Sequence, residues 1–304
     1  MKVGVIGLGT MGMGAALNLV KHGHAVHGCE PREPARAELG AAGGMPVTRA
    51  AELPDDLEAL IVFVVNAAQA NEALFGADGC VGKLARGSVL LCCTTVAPDA
   101  ARALAHRLDE RGVLMLDAPV SGGSVAARGG TMTVMASGPE AAFARAQPVL
   151  DAIAGKVWRL GDAAGAGSTV KMVNQLLAGV HIAAAAEAMA LGIRAGADPR
   201  TLFEVISTSA GSSWMFQNRV PHILAGDDSP LSAVNIFVKD LGIVLDQARS
   251  LTFPLPLAAT AHQLFLAAAA GGHGARDDAF VIRVWQALTG IALPEAKKDG
   301  SSGA

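Results

Sequence analysis

Short runs of apolar and β-branched residues punctuate the first half of the chain, at 3–7, 25–30, 59–65, 88–95, 113–120, 131–137 and 157–161. The stretches between them carry apolar residues at helical spacing. Strands alternating with helices are the pattern of a parallel sheet covered on both faces. From about residue 167 the strand signal stops, and alanine- and leucine-rich segments at 167–195, 199–208, 231–250, 255–270 and 277–290 predict helices only. The expected architecture is an α/β domain with a doubly wound, mainly parallel sheet, followed by an all-helical C-terminal domain. The glycine-rich GDAAGAG at 161–167 is the natural boundary, giving domains at 1–162 and 163–293. Residues 294–304 show no periodicity and read as a disordered tail.

Composition narrows the function classes. With 304 residues the chain is long enough for two domains, and 51% hydrophobic against 17% charged residues describes a folded protein. A net charge of -3 without a basic run argues against nucleic acid or an anionic membrane as partner. The longest apolar stretch, about 176–197, is interrupted by His181, Glu187 and Arg194, so it reads as a core helix and not a membrane span. The chain opens directly on KVGVIG, without a charged and apolar leader, which predicts a cytoplasmic protein. Cys29, Cys80, Cys92 and Cys93 form no C-x-x-C pair, so buried free thiols are expected and no metal site.

The first strand runs into Gly7-Leu8-Gly9-Thr10-Met11-Gly12 and then a helical pattern. This is a dinucleotide fingerprint in its proper context: glycines let the backbone approach a pyrophosphate held at a helix N-terminus. The first domain is therefore expected to be of the Rossmann type. Glu30 ends the second strand eighteen residues after Gly12, where a carboxylate binds ribose hydroxyls and repels a 2′-phosphate, so NAD is expected over NADP. Arg32, just beyond, is of the kind that accommodates that phosphate. Val65, Asn66 and Thr95 follow the third and fourth strands, where open α/β sheets bind ligands; capping the next helix is their alternative role.

Two further clusters suggest a substrate. The run Asp117-Ala-Pro-Val-Ser121-Gly122-Gly123 offers backbone N–H groups and a hydroxyl suited to a carboxylate. In KMVNQ, Lys171, Asn174 and Gln175 stand three and four residues apart, so they share a helix face. Four blocks in order, GLGTMG (7–12), DAPVSGG (117–123), GAGSTVKMVNQ (165–175) and FVKDLG (237–242), make the chain resemble the β-hydroxyacid dehydrogenase family. That family includes 3-hydroxyisobutyrate dehydrogenase and tartronate semialdehyde reductase. The resemblance implies a Rossmann domain, a helical domain built on a long oligomerising helix, and a homodimer or homotetramer. It also implies Lys171 as the catalytic acid/base, Ser121, Gly122 and Gly123 on the substrate carboxylate, Asn174 holding the substrate, and Lys239 near the nicotinamide. One departure stands out: the family's K-x-x-N-N reads Lys171-Met-Val-Asn174-Gln175 here. With the 211–224 and 229–244 segments, this is closest to a subgroup that oxidises L-threonate with NAD.

Oxidising a hydroxy acid requires a carboxylate anchor, a hydride acceptor and a base for the hydroxyl proton. Lysine ordinarily titrates near 10.4, so such a base needs surroundings that favour its neutral form. Glu187 falls on the opposite helix face from Lys171 and reads as a paired buried carboxylate, and His181 as a helix contact. The segment Trp214, Met215, Phe216, Asn218, Arg219 reads as helix core or as a substrate-pocket wall. Three alternatives stay open: a 3-hydroxyisobutyrate or tartronate semialdehyde enzyme, a reductase working with NADPH, and a non-catalytic cofactor-binding scaffold.

Overall fold

The computed structural model describes residues 1–295, so most of the tail expected at 294–304 lies outside the described residues. The chain divides into two compact units, Met1–Met172 and Val173 onward.

In the first unit, β1 (Lys2–Ile6), β2 (Ala25–Cys29), β3 (Met45–Val47), β4 (Leu57–Val62), β5 (Leu84–Cys92) and β6 (Leu114–Asp117) form a parallel sheet. Its order is β3-β2-β1-β4-β5-β6, the doubly wound arrangement whose direction reverses between β1 and β4. Helices α1 (Thr10–Lys21), α2 (Glu33–Ala41), α3 (Ala67–Phe75) and α4 (Pro98–Asp109) connect these strands. Successive side chains of a strand point to opposite faces. Accordingly Val3, Val5, Ala59, Ile61, Val89 and Leu91 enter one core, while Ile6, Leu60, Val62, Leu90 and Cys92 enter another. Burial on both faces is why these strands read as unbroken apolar runs.

Not all the predicted strands join that sheet. Strands β7 (Val120–Ser121), β8 (Met132–Ala136) and β9 (Ala154–Arg159) form a separate one, antiparallel between β7 and β8 and parallel between β8 and β9. Helices α5 (Gly123–Arg128) and α6 (Glu140–Ile153) lie between its strands. The two sheets meet at Asp117 and Ser137, whose backbones exchange hydrogen bonds of 2.9 Å in both directions.

Helix α7 (Ala166–Arg194) begins in the first unit and continues into the second. Among the described residues it alone is long and apolar enough to cross a membrane. Its Gly179 lies so close to Leu241 and Phe237 that a Cβ would stand 3.0 Å from each. The helical unit continues with α8 (Pro199–Ser207), α9 (Trp214–Ala225), α10 (Val234–Ser250), α11 (Pro256–Ala268) and α12 (Arg283–Thr289). Phe237 of α10 and Phe265 of α11 stack at 5.2 Å between ring centroids.

One sequence expectation changes here, and one choice between alternatives is narrowed. Glu187 is exposed, not a buried paired carboxylate. The 211–219 segment opens α9, capped by the Ser213 hydroxyl, which accepts from Phe216 N–H at 3.0 Å. Its Phe216 and Val220 are buried, whereas Trp214 is exposed. Arg219 is buried as well, and its guanidinium holds both oxygens of Asp278 at 2.6 and 3.2 Å.

Burial, opposed by the charge and hydrogen bonds of Arg219, pushes the Asp278 carboxyl up to about 6. A carboxyl raised in the folded state keeps a proton that the unfolded chain has released, so this contribution to stability is greatest below about pH 4 and declines up to about pH 6. Asp278→Asn has no such titration. Urea midpoints across this window should therefore fall more with rising pH in the native sequence than in Asp278→Asn; parallel profiles would refute the assignment.

Candidate active site

In a parallel sheet all carboxyl ends lie along one edge, and on that edge stand Gly7, Glu30, Val65, Asn66 and Thr95 after β1, β2, β4 and β5. Gly12 packs the turn: a Cβ there would sit 1.9 Å from the Gly7 carbonyl oxygen. Gly9, the N-cap of α1, differs, because a Cβ on it would meet nothing within 4 Å. Packing does not require glycine at that point, and the open space lies at a helix N-terminus that no side chain caps and that has no acid in its first turn. These residues fit a dinucleotide pyrophosphate. Thr10 is exposed there and Met11 half-buried.

Glu30 and Arg32, opposed in the sequence reading, act together. The Glu30 carboxylate accepts from Leu8 N–H at 2.9 Å, and from Arg32 Nε and backbone N–H at 2.7 and 3.2 Å. The Arg32 guanidinium also donates to the Leu8 carbonyl at 3.2 Å. Burial alone would raise the Glu30 carboxyl, but the hydrogen bonds and charge of Arg32, with Leu8 N–H, outweigh it and hold Glu30 below its ordinary value. Leu8 thus serves the site by fixing Glu30; its own side chain is buried. Further along the edge, the Asn66 side-chain Oδ1 caps α3 by accepting from Gln69 N–H at 2.9 Å. Val65 is exposed, and Thr95 is half-buried between β5 and α4. All four cysteines are free and buried.

Ser121 closes β7, and Gly122 and Gly123 follow with φ of +121° and +67°. Backbone of this kind favours glycine. A side chain at 122 would also meet Ala126 Cβ at 2.5 Å.

Asp117 is fully buried where β6 ends, and it reaches the start of α7. One of its oxygens accepts from Gly165 N–H at 2.9 Å and Ser168 N–H at 2.8 Å, and the other from the Ser168 hydroxyl at 2.7 Å. Ser137 joins it, donating its hydroxyl to Asp117 at 3.4 Å and accepting from Gly167 N–H at 3.0 Å. A carboxylate on the N–H groups that a helix start leaves unpaired is a favoured arrangement. Burial nevertheless raises the Asp117 carboxyl above its ordinary value, against all these donors. Lys171 stands three residues beyond Ser168 and is 8% exposed. Asp117 therefore fixes both the strand that leads to Ser121 and the helix turn that leads to Lys171.

Further along α7, Asn174 Nδ2 donates to Gln175 Oε1 at 3.0 Å, and Gln175 Nε2 donates to Asp240 at 2.6 Å. The Lys239 ammonium pairs with the same Asp240 carboxylate. Sequence reasoning singled out Lys171, Asn174 and Lys239 but gave no role to Asp117, Ser137, Ser168 or Asp240. A carboxylate closing an apolar strand was the available signal for Asp117.

Comparison with known proteins identifies this assembly. Residues 2–161 match the model of the NAD-binding domain of 6-phosphogluconate dehydrogenase, and 165–285 that of the NAD-binding region of NADP-dependent 3-hydroxyisobutyrate dehydrogenase. The chain is 56% identical over 292 residues to an L-threonate dehydrogenase of Cupriavidus necator, covering 96% of this chain and 97% of that one. It is 51% identical over 296 residues to the L-threonate dehydrogenase of Escherichia coli K12, with 97% of each covered. A crystal structure of a 3-hydroxyisobutyrate dehydrogenase from Salmonella typhimurium superposes with a TM-score of 0.90 at 49% identity, covering 93% of this chain and 99% of that one. The fold and its fingerprint are those of an NAD(P)-binding dehydrogenase with a small-molecule substrate. The chain belongs to the 3-hydroxyisobutyrate dehydrogenase-like family of β-hydroxyacid dehydrogenases.

Two predictions follow from this geometry. Gly9→Ala should leave the urea midpoint nearly unchanged, since its Cβ meets nothing, yet weaken NAD(H) affinity at least about tenfold by blocking the pyrophosphate's approach; unchanged cofactor titration would refute it. Asp117→Asn should lower unfolding free energy by about 2–4 kcal/mol, and Ser168→Ala by about 1 kcal/mol, because buried donors lose their charged acceptor or the acceptor loses a donor.

Proposed function

We propose that this dehydrogenase oxidises the C2 hydroxyl of L-threonate to 2-dehydro-L-erythronate, with NAD as its physiological acceptor. The observation that carries this reading is identity of 49–56% over nearly the whole chain to proteins named L-threonate dehydrogenase. The crystal structure at 49% identity that bears the name 3-hydroxyisobutyrate dehydrogenase favours a second reading, oxidation of that acid.

In the proposed mechanism the Ser121 hydroxyl and the N–H groups of Gly122 and Gly123 bind the substrate carboxylate. Lys171 takes the C2 hydroxyl proton as the carbonyl forms, and returns it in reduction. Asn174 positions the substrate, and Lys239 acts on the nicotinamide end of the cofactor. NAD bound at Gly7–Gly12 supplies the hydride acceptor. Thr10, Met11, Val65, Asn66 and Thr95 contribute to that site from the same sheet edge. NAD is favoured over NADP because Glu30 presents a carboxylate to the ribose hydroxyls and engages the Arg32 guanidinium, leaving that cation committed and not offered to a 2′-phosphate. Residues 1–162 are assigned to cofactor binding, and 163–293 to substrate binding and assembly as a homodimer or homotetramer in the cytoplasm.

Activity on a panel of L-threonate, 3-hydroxyisobutyrate and glycerate (the alcohol from which tartronate semialdehyde forms), followed by NADH absorbance, tests the substrate: kcat/KM should be highest for L-threonate, and a clear preference for 3-hydroxyisobutyrate would select the second reading. Lys171→Ala should keep its NADH affinity while kcat falls by about 10²–10⁴-fold; undiminished turnover would remove Lys171 from the proton transfer. Glu30→Ala should shift the NAD/NADP ratio of kcat/KM toward NADP by at least about tenfold, since it removes a repulsive acid and releases Arg32.

A further inference from the structure

Asn174, Gln175, Asp240 and Lys239 form an unbroken polar chain in the helical unit, running from Asn174 Nδ2 to Gln175 Oε1, from Gln175 Nε2 to Asp240 Oδ2, and from the Lys239 ammonium to Asp240 Oδ1. Gln175 is 8% exposed and Asp240 2%. The chemistry of one end dictates the direction of every bond. An ammonium only donates and an ionised carboxylate only accepts, so Asp240 must receive the Gln175 amide nitrogen. That turns the Gln175 carbonyl oxygen toward Asn174, which must answer with its own NH2. A flipped amide at either position would set two acceptors or two donors face to face in a nearly water-free setting. Asn174 therefore keeps its Oδ1, an acceptor, for what lies beyond the helix face.

We propose that Gln175 is a positioning residue that holds Asn174 with Oδ1 toward the substrate, so that the site selects acids with a second hydroxyl beside the carbon being oxidised. The proposal rests on the reading that Asn174 holds the substrate. L-threonate has such a hydroxyl at C3, whereas 3-hydroxyisobutyrate carries a methyl-bearing carbon next to its reacting carbon. A site built to accept a hydroxyl hydrogen bond discriminates strongly against an analogue lacking it, because its own polar group is then left unpaired. The length of the glutamine matters as well. Asparagine at 175 would withdraw the amide by about 1.5 Å, one carbon–carbon bond, and so break the contact with Asp240.

The test uses the full chain with NAD and compares the native sequence with Gln175→Met, Gln175→Glu and Asn174→Ala. The substrates are L-threonate and 2,4-dihydroxybutyrate, which lacks only the C3 hydroxyl; NADH affinity and thermal midpoint serve as checks on the fold. Gln175→Met should raise KM for L-threonate about 5- to 10-fold, the size of a lost hydrogen bond, with kcat within about 3-fold and NADH affinity unchanged. Its constants for 2,4-dihydroxybutyrate should not move, so the preference for L-threonate shrinks. Gln175→Glu places a second carboxylate against Asp240, facing Lys239 on α10 and one turn from Lys171 along α7. A carboxylate cannot donate to Asp240 as the amide does, so this variant should raise KM for L-threonate at least as much as Gln175→Met. A native KM in Gln175→Met, alongside a raised KM in Asn174→Ala, overturns the proposal alone. If Asn174→Ala leaves KM unchanged, or the native chain does not oxidise L-threonate, the underlying reading falls and the proposal with it.

Discussion

The carboxylate of Asp117 sits where two sheets and a helix meet, and the geometry of the candidate site depends on it. Backbone hydrogen bonds tie its residue to Ser137, which joins the six-stranded sheet to the three-stranded one. Its oxygens gather the N–H groups of Gly165 and Ser168 and the Ser168 hydroxyl, which starts α7 at a defined point. Burying a carboxylate is costly unless donors surround it, and here the donors are groups that a helix start leaves unpaired in any case. Two needs meet in one contact. The Ser121–Gly123 turn that begins four residues after Asp117 and the lysine three residues after Ser168 inherit their positions from it.

The polarity of the molecule follows the same economy. At the sheet edge Glu30 neutralises Arg32, and in the helical unit Asp240 neutralises Lys239. In both cases the acid is nearly buried and also receives a neutral donor, Leu8 N–H in one and the Gln175 amide in the other. Each acid–base pair thereby orients a group beyond itself. This is a use of ion pairs for geometry, distinct from any contribution to stability.

Much of this was legible in the amino-acid order because the relevant signals are local. The fingerprint glycines, the acid after β2 and the polar face of KMVNQ need only spacing to be read. The alternation of strands and helices announced the doubly wound sheet for the same reason. Strand partners are not local, so nothing distinguished the runs at 131–137 and 157–161, which form a second sheet, from those of the first. Strand β3 escaped because it is three residues long and contains Pro46, tolerable on an edge. Helix α9 was legible only as a short stretch at 214–219, because Pro221 interrupts its pattern. The links from Gln175 to Asp240, 65 residues apart, and from Asp117 to Ser168, 51 apart, leave no trace in periodicity. Glu187 was misread because a helical wheel assigns faces without showing which of them is covered.

The Asp117 contact also bears on how the chain is made. Its donors lie 48 and 51 residues downstream, so the ribosome delivers the acceptor well before Gly165 and Ser168 emerge. Domains fold as units in the order of synthesis. The strands that hold Asp117 and Ser137 are thus already out when the first turn of α7 arrives, and that turn meets a prepared seat. Helix initiation is the costly step in helix formation, and the acceptor at Asp117 offsets part of that cost at the first turn of α7.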